Sequence, residues 1–242
     1  MQLPLIRGVI DRRILANYRV DPDVISKLLP APFRPHLIDG KAMAGICLIR
    51  LKQTRPQFVP AFFGLQSENA AHRFAVEWDE NGERRTGVYV PRRDTSSRLN
   101  SLLGGRVFPG EQHHANFQVR EQEDRYQISL DSDDGQTHLR VDGHSTENLA
   151  AGSVFGSLQR ASDFFERGSV GYSATSQPGE FDGLECRIPQ WKVTPLAVDT
   201  MESSYFEDRL RFPAGSIQFD CALLMRHVDH QWCARKPICA SK

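Results

Sequence analysis

The chain has 242 residues, which is enough polymer to bury one large hydrophobic core or two small ones. Its 40% hydrophobic and 25% charged residues are an ordinary globular composition, which excludes a disordered chain, a collagen and a coiled coil. Thirty basic residues balance thirty acidic ones, so no net field drives binding to nucleic acid or to an anionic membrane surface, and neither is predicted as a partner.

The start of the sequence, MQLPLIRGVIDRR, has no apolar run of signal-peptide length, and no window approaches the roughly 18 apolar residues of a spanning helix. We therefore expect a cytoplasmic protein. The cysteines are widely spaced without a C-x-x-C pair and are expected to be reduced thiols. They are Cys47, Cys186, Cys221, Cys233 and Cys239. No cofactor is predicted.

The first quarter of the chain has strand patterns on either side of one short helix. Residues 13–20 are predicted as a strand, and Asp21-Pro22 then supplies an N-cap and a first helical residue for a helix that Pro30 stops. Residues 42–51 form a nearly continuous apolar run of strand length.

The pair Asn81-Gly82 lies between two runs of β-branched and aromatic residues, which predicts a β-hairpin over residues 72–91. The segment DTSSRLNSLLGG follows it. Asp94 or Thr95 can cap a helix there, and Gly104 can end it. We expect a short helix between them.

The second half of the chain predicts more sheet and one longer helix. Alternation of apolar and polar residues predicts a meander of strands at 114–120, 125–131 and 136–142. The helical spacing of Phe155, Leu158, Ala161 and Phe165 predicts the longest helix, from Ser153 to Gly168. With later strands at 169–174, 180–188, 191–198 and 216–228, the count is about ten, without regular β-α-β alternation. This pattern predicts one α+β domain over 1–242, with a mixed, largely antiparallel sheet that can close as a β-barrel.

Residues 92–114 hold the densest set of polar groups. Arg92-Arg93-Asp94 is followed by Arg106 and by Glu111-Gln112-His113-His114, with glycines and a proline between them. These residue types would suit a reaction site. The glycines allow the backbone to lie close to a ligand, and the adjacent histidines can exchange protons near neutral pH. A surface cluster of ion pairs at a helix start explains the same residues, and the residue types leave both interpretations open.

Other candidates also have two interpretations. His227, Asp229, His230 and Cys233 include zinc-ligand types, but His227 and His230 point to opposite faces of a strand, so no metal site is predicted. His72 is either a core histidine or a pocket residue. Lys52 and Lys192 are either desolvated amines or surface lysines.

Three stretches together resemble a known family: NYRVDPDVISKLLPAPF at 17–33, SENAAHRFAVEW with GVYVPRRDTSS at 67–97, and GGRVFPGEQHHANFQV at 104–119. In order and spacing they are similar to the acetoacetate decarboxylase-like superfamily, specifically its branch of uncharacterised bacterial proteins without the Schiff-base lysine. The resemblance implies a partly closed β-barrel with a few external helices, a buried central pocket and a homo-oligomer.

The resemblance also points to residues. Decarboxylases of this superfamily form an imine on a lysine that follows a glycine-arginine pair. Here the corresponding positions fall near Gln112, His113 and His114, and no lysine occurs between Lys52 and Lys192. The resemblance implies pocket roles for an arginine at 12 or 13, for an acidic residue near Glu68 and for Arg106.

These observations support competing hypotheses. In the first, the protein is an enzyme acting on a small oxo acid or related carbonyl compound, and arginines grip the carboxylate while histidine and glutamate move a proton. The catalytic candidates are His113, His114, Glu68 and Glu111, and the substrate-binding candidates are Arg13, Arg106, Gln112 and Arg92. In the second, the pocket binds a small carboxylate or apolar metabolite without turnover. A third places Schiff-base chemistry on Lys52 or Lys192.

Overall fold

The computed structural model describes residues 5–104 and 110–240. The strands in that part of the chain are Ile6–Val20 (β1), Arg34–Pro35 (β2), Leu37–Ile38 (β3), Lys41–Pro56 (β4), Leu65–Glu80 (β5), Glu83–Thr95 (β6), His113–Gln122 (β7), Arg125–Ser132 (β8), His138–Ser145 (β9), Val170–Ala174 (β10), Glu180–Arg187 (β11), Thr194–Ser203 (β12) and Ile217–Cys239 (β13). The helices are Pro22–Leu28 (α1), Arg98–Leu103 (α2), Leu158–Arg167 (α3) and Ser204–Glu207 (α4), with a 3-10 turn at Ala61–Phe63.

The strands form one mixed sheet whose pairings return to their starting point. β1 pairs with β4, and the path runs on through β5, β6, β7, β8, β9 and β12 to β13, which pairs with β1 again. A second closed path uses β10 and β11 to connect β6 with β13. Most neighbours are antiparallel, while β6 is parallel to β7 and to β10. The predicted α+β class with a mixed, largely antiparallel sheet is therefore confirmed.

The hairpin predicted at residues 72–91 is present and is longer than predicted. β5 and β6 are joined by Asn81 and Gly82, both with positive φ, 54° and 80°. This two-residue connection matches the twist of antiparallel strands, and Gly82 adopts the left-handed conformation without a steric penalty. The hairpin extends from Leu65 to Thr95 and forms one wall shared by the two closed paths.

Two helices begin later than predicted. Asp94 and Thr95 do not cap α2, because both still pair with β5, and the cap is Ser97, whose hydroxyl accepts from the Asn100 backbone N–H. Likewise, Ser153 does not start α3, since its hydroxyl donates to Asp220 at 2.7 Å. Gly156 has a φ of 66°, which no helix tolerates, and Ser157 caps α3 instead.

Apolar side chains fill both faces of the strands that the two closed paths share. On one face, Ile14, Leu48 and Phe74 belong to a large aromatic-rich core. On the other face, Leu15 and Cys47 pack with residues that include Phe165 of α3. Since α3 is the longest helix described and has ten residues, no helix in the described residues has the length and apolarity to cross a membrane.

A network of ion pairs is buried on the same face as Ile14. Arg12 is fully buried and donates to Glu68 and to Glu121, each at 2.6 Å. Arg50 bonds to Glu68 and lies 3.0 Å from Glu121, so each carboxylate contacts at least two guanidinium groups. Mutual pairing offsets the cost of removing these charges from water.

Replacing Arg12 with methionine should therefore destabilise the protein. Glu68 and Glu121 would keep their other cations, yet loss of one partner from a buried network costs about 3 kcal/mol. Urea unfolding of the two proteins measures the difference. Arg34→Met is the matched control, because its pair with Asp79 at 2.8 Å is exposed and screened by water, so its loss should leave stability nearly unchanged. Equal stability of Arg12→Met and the unmodified protein would contradict the structural role.

Two buried histidines predict acid sensitivity. Burial lowers the pKa of His72 to about 3 and that of His230 to about 4, from 6.5. Below pH 6.5 the unfolded chain therefore binds more protons than the folded one, and the free energy of unfolding falls as the pH falls toward 4. The loss should be about 1.4 kcal/mol per pH unit for each histidine. His72→Phe, which keeps a ring against Tyr205, should reduce that slope between pH 6.5 and 5 in urea titrations. An unchanged slope in His72→Phe would refute the assignment.

Candidate functional site

A cavity of about 330 Å³ opens on the side of the shared wall that bears Leu15 and Cys47. Its lining is mostly apolar. The apolar contributors include Ile6, Ile49, Leu51, Pro56, Leu65, Ala71, Leu99, Leu184 and Trp232. A concave, largely apolar cavity of this size with a few polar groups is the usual form of a small-molecule site.

Strand register places two arginines and a cysteine at one end of the cavity. Cys47 pairs with Ala71, and Ala71 pairs with Arg93, so the three form one row across β4, β5 and β6. Arg13 lies opposite Ile49 and turns its Nε toward the Cys47 sulfur, 3.3 Å away. Because side chains alternate along a strand, these residues share a face.

The guanidinium groups at this end have few partners. Arg93 donates to the Ser173 hydroxyl at 3.1 Å, and its Nε has no partner among the described residues. Arg13 lies over the Trp191 ring at 5.7 Å. Within the described residues neither arginine forms an ion pair with a carboxylate, and segment 105–109 contains no acidic residue.

A third arginine lies close to these two. Arg73 is buried, donates to the Asn17 side-chain oxygen and lies over the Phe165 ring at 4.8 Å. It shares with Arg13 the lining of a smaller space of about 30 Å³. Desolvation lowers the pKa of Arg73 and that of Arg93 to about 10, so both remain cationic at neutral pH. The arginine end therefore carries positive charge in a poorly hydrated place, which favours an anion.

The opposite face of the same wall holds several of the residues singled out from the sequence. Glu68 lies there, bound to Arg12 and Arg50, and does not meet Arg13. The Arg92 side chain is also on that face, with Asp94 at 2.7 Å and Asp134 at 2.9 Å. Arg92 and Arg93 are adjacent in sequence, and for this reason they project to different sides of β6.

The two adjacent histidines begin β7 beside the end of β6. His113 lies opposite Asp94, with its Nδ1 3.2 Å from Asp134, while the Nδ1 of His114 is 2.8 Å from Asp133. Neither is among the residues found lining the cavity, whereas the neighbouring Gln112 is. Glu111 is exposed. The structure thus brings Arg13 and Gln112 to the cavity and gathers Arg92, His113 and His114 around two aspartates next to it.

The remaining candidates lie elsewhere. Arg106 lies outside the described residues. Lys52 is ion-paired with Asp11 at 2.9 Å, Lys192 is exposed, and neither is among the lining residues. His227 is exposed and lies 3.4 Å from Asp11, whereas His230 is buried. Within residues 5–104 and 110–240, no three or more histidine, cysteine or acidic side chains are arranged to hold a metal ion.

Sequence reasoning did not single out Arg93, Cys47 or Asn69 as site residues. Cys47 lies inside an apolar run, and Asn69 is a neutral residue next to Glu68, which was the residue predicted for the site. A signal existed for Arg93: Arg92 and Asp94 share one strand face, so the residue between them must face the other way. What lies on that other side depends on β4 and β1, which are remote in sequence.

Several solved structures share this architecture and are distant from this chain in sequence. An acetoacetate decarboxylase from Legionella pneumophila superposes with a TM-score of 0.65 at 10% identity, covering 97% of this chain and 88% of its own. The enduracididine biosynthesis enzyme MppR, complexed with a condensation product of pyruvate, gives a TM-score of 0.65 at 11% identity, with 100% and 90% covered. An acetoacetate decarboxylase-like enzyme from Sphingomonas wittichii RW1 gives 0.58 at 12% identity, with 100% and 94% covered. At these identities the likeness establishes the fold, which is that of the acetoacetate decarboxylase-like superfamily.

Within that fold, the chain belongs to DUF2071, a family described as uncharacterized conserved proteins, whose model matches residues 10–218. A comparison with curated proteins finds no match. The family match and the shared fold agree with the resemblance seen in the sequence.

Proposed function

We propose that this protein binds a small organic carboxylate in the cavity, with Arg13 and Arg93 holding the carboxylate group. The observation that carries the proposal is the pair of guanidinium groups that lie at one end of an apolar cavity and have no carboxylate partner among the described residues. A buried cation without a counterion is costly, and a ligand carboxylate would remove that cost with charge-assisted hydrogen bonds.

Gln112 and Asn69 would add neutral hydrogen-bonding groups at the wall. Asn69 already donates to Ser67 at 2.9 Å and accepts from Thr95 at 2.8 Å, so its amide is held in place. Gln112 lines the cavity and has no side-chain bond among the described residues. The free amide of Gln112 and the oriented amide of Asn69 would hydrogen-bond a ligand that has a further oxygen near its carboxylate.

Thermal unfolding with a panel of oxo acids, plain carboxylates and neutral ketones tests this proposal. A bound carboxylate at about 100 times its dissociation constant should raise the midpoint by roughly 5 °C or more. In Arg93→Gln the same ligand should bind about 10 to 100 times more weakly, because a charged hydrogen-bond partner is lost.

Arg34→Gln is the control, since Arg34 is an exposed arginine outside the cavity lining and its loss should leave the shift unchanged. Stabilisation by neutral ketones as strong as by their acid counterparts, or stabilisation that survives in Arg93→Gln, would refute a carboxylate site.

A second candidate function is catalysis on a carbonyl group of the bound carboxylate. It is favoured by the charged cluster of His113, Asp134, Arg92 and Asp94, which adjoins Gln112 at the cavity wall. Burial raises the pKa of the Asp94 carboxyl, and a group with such a shift can exchange protons nearer neutral pH. Because the lysines at 52 and 192 are not among the lining residues, this route does not use an imine.

The catalytic proposal predicts that replacing the two histidines lowers turnover strongly and that no lysine forms a covalent intermediate. Once a carbonyl acid that stabilises the protein is turned over, His113→Gln with His114→Gln should lower kcat by about 100-fold or more. Borohydride added with that acid should leave every lysine unmodified in a mass spectrum. A loss of less than tenfold would remove the histidines from the reaction, and a lysine adduct would restore the imine route.

A further inference from the structure

We infer that the cavity is built for a carboxylic acid with an apolar tail of about eight to twelve carbons, with its carboxylate at Arg13 and Arg93 and its tail directed toward Leu65 and Leu99. This inference rests on the proposed function and specifies its substrate class. It goes beyond small oxo acids, because the cavity is longer than such an acid and its polarity changes along its length.

The register of β4 and β5 orders the lining from one end to the other. Cys47 pairs with Ala71 beside Arg93, Leu51 pairs with Ser67, and Thr54 pairs with Leu65. The arginine end is thus followed by apolar residues. From Ala71 to Leu65 the strand advances six residues, about 20 Å at 3.3 Å per residue. The cavity is therefore elongated along the strands.

Two polar groups toward the far end are engaged with the protein. Arg55 donates to the backbone carbonyls of Val59 and Gln53, at 3.0 and 2.7 Å, and the Ser67 hydroxyl accepts from Asn69. The Thr54 hydroxyl, also in the lining, has no hydrogen-bond partner among the described residues. The apolar side chains there are those of Ile6, Leu51, Leu65, Leu184 and Trp232. An apolar tail matches these surfaces.

The far end continues to the protein surface through apolar side chains. Leu65 and Leu99 line the cavity and are 53% and 50% exposed. Phe62 and Phe63 lie just before β5 in the 3-10 turn and are 91% and 67% exposed. Large apolar side chains left open to water usually mark a binding site. Phe62 and Phe63 directly precede the lining residue Leu65 along the chain, as expected where the tail of a ligand enters the cavity.

The volume indicates the size class of the ligand. A cavity of about 330 Å³ lies at the lower end of the range of roughly 300–1,000 Å³ that holds drug-sized ligands, and a straight-chain acid of about eight to twelve carbons is of that class. Pyruvate is smaller and would leave part of the cavity empty. An unfilled apolar cavity gives up dispersion contacts and leaves surface hydrated, so ligands that fill it bind more tightly.

Calorimetric titration of the full chain with straight-chain acids from butanoate to tetradecanoate, kept below micelle-forming concentrations, tests the inference. Each added methylene should tighten binding by about fourfold, until the series levels off near ten to twelve carbons. Decanol should bind at least tenfold more weakly than decanoate to the unmodified protein, and Arg93→Gln should remove that preference.

Leu99→Gln separates the tail from the head group. It should weaken decanoate binding about tenfold and leave butanoate unchanged, whereas Leu210→Gln, at a side chain that is 99% exposed and outside the lining, should change neither. If pyruvate and butanoate bind through Arg93 with no gain on lengthening, the tail inference fails and the carboxylate site stands. If no acid of any length binds, both fail.

Discussion

The alternation of side chains along β1, β4, β5 and β6 is the constraint on which the rest of this structure depends. These four strands form a wall with a buried side on each face. Adjacent residues such as Arg12 and Arg13, or Arg92 and Arg93, must project in opposite directions. One arginine of each pair enters a saturated network of carboxylates, and the other reaches the cavity, where it has no carboxylate partner among the described residues. The same wall therefore carries ion-paired arginines on one face and, on the other face, arginines without a carboxylate partner among the described residues.

The two sets of arginines have different energetic consequences. Around Arg12, each charged group is paired with at least one group of opposite charge, so no ligand is needed to offset the desolvation of the network. Around Arg13, Arg73 and Arg93, the partners found among the described residues are neutral groups and aromatic rings. Desolvation lowers the pKa of Arg73 and Arg93. Cations held in this way beside an apolar cavity are the basis of the proposal that an anion binds there.

The sequence has no lysine between Lys52 and Lys192, and Gln112 lines the cavity. An amide can orient an oxygen by hydrogen bonding, but it cannot form an imine. A fold shared with decarboxylases does not by itself carry their reaction, since function resides in particular side chains on a scaffold. The catalytic proposal therefore rests on the cluster of His113, Asp134, Arg92 and Asp94, of which Asp94 lines the cavity.

Local patterns in the sequence determined much of the fold. Asn81-Gly82 specified a hairpin because few residues adopt two successive positive φ angles, and the spacing of Ala161 and Phe165 specified a helix. Element starts were less predictable, because side chains of the capping type bind elsewhere: Ser153 donates to Asp220, which is remote in sequence, and Asp94 accepts from Arg92 on the same strand. The residue types of the charged segment at 92–114 were visible in the sequence, as was the arginine at 13.

Tertiary structure alone decided which of these residues meet. The alternation of side chains along a strand predicts that Arg92 and Arg93 point to opposite faces of β6. It does not predict which of them points into a cavity, because that depends on the pairing of β5 with β4 and of β4 with β1. Glu68 and Arg13 were expected to act together and lie on opposite faces, whereas Cys47 and Arg93, 46 residues apart, occupy one row. The residue types could be read from the sequence. Strand register and the face on which each side chain lies are set by pairing with strands remote in sequence, and this pairing decides which residues come together in the site.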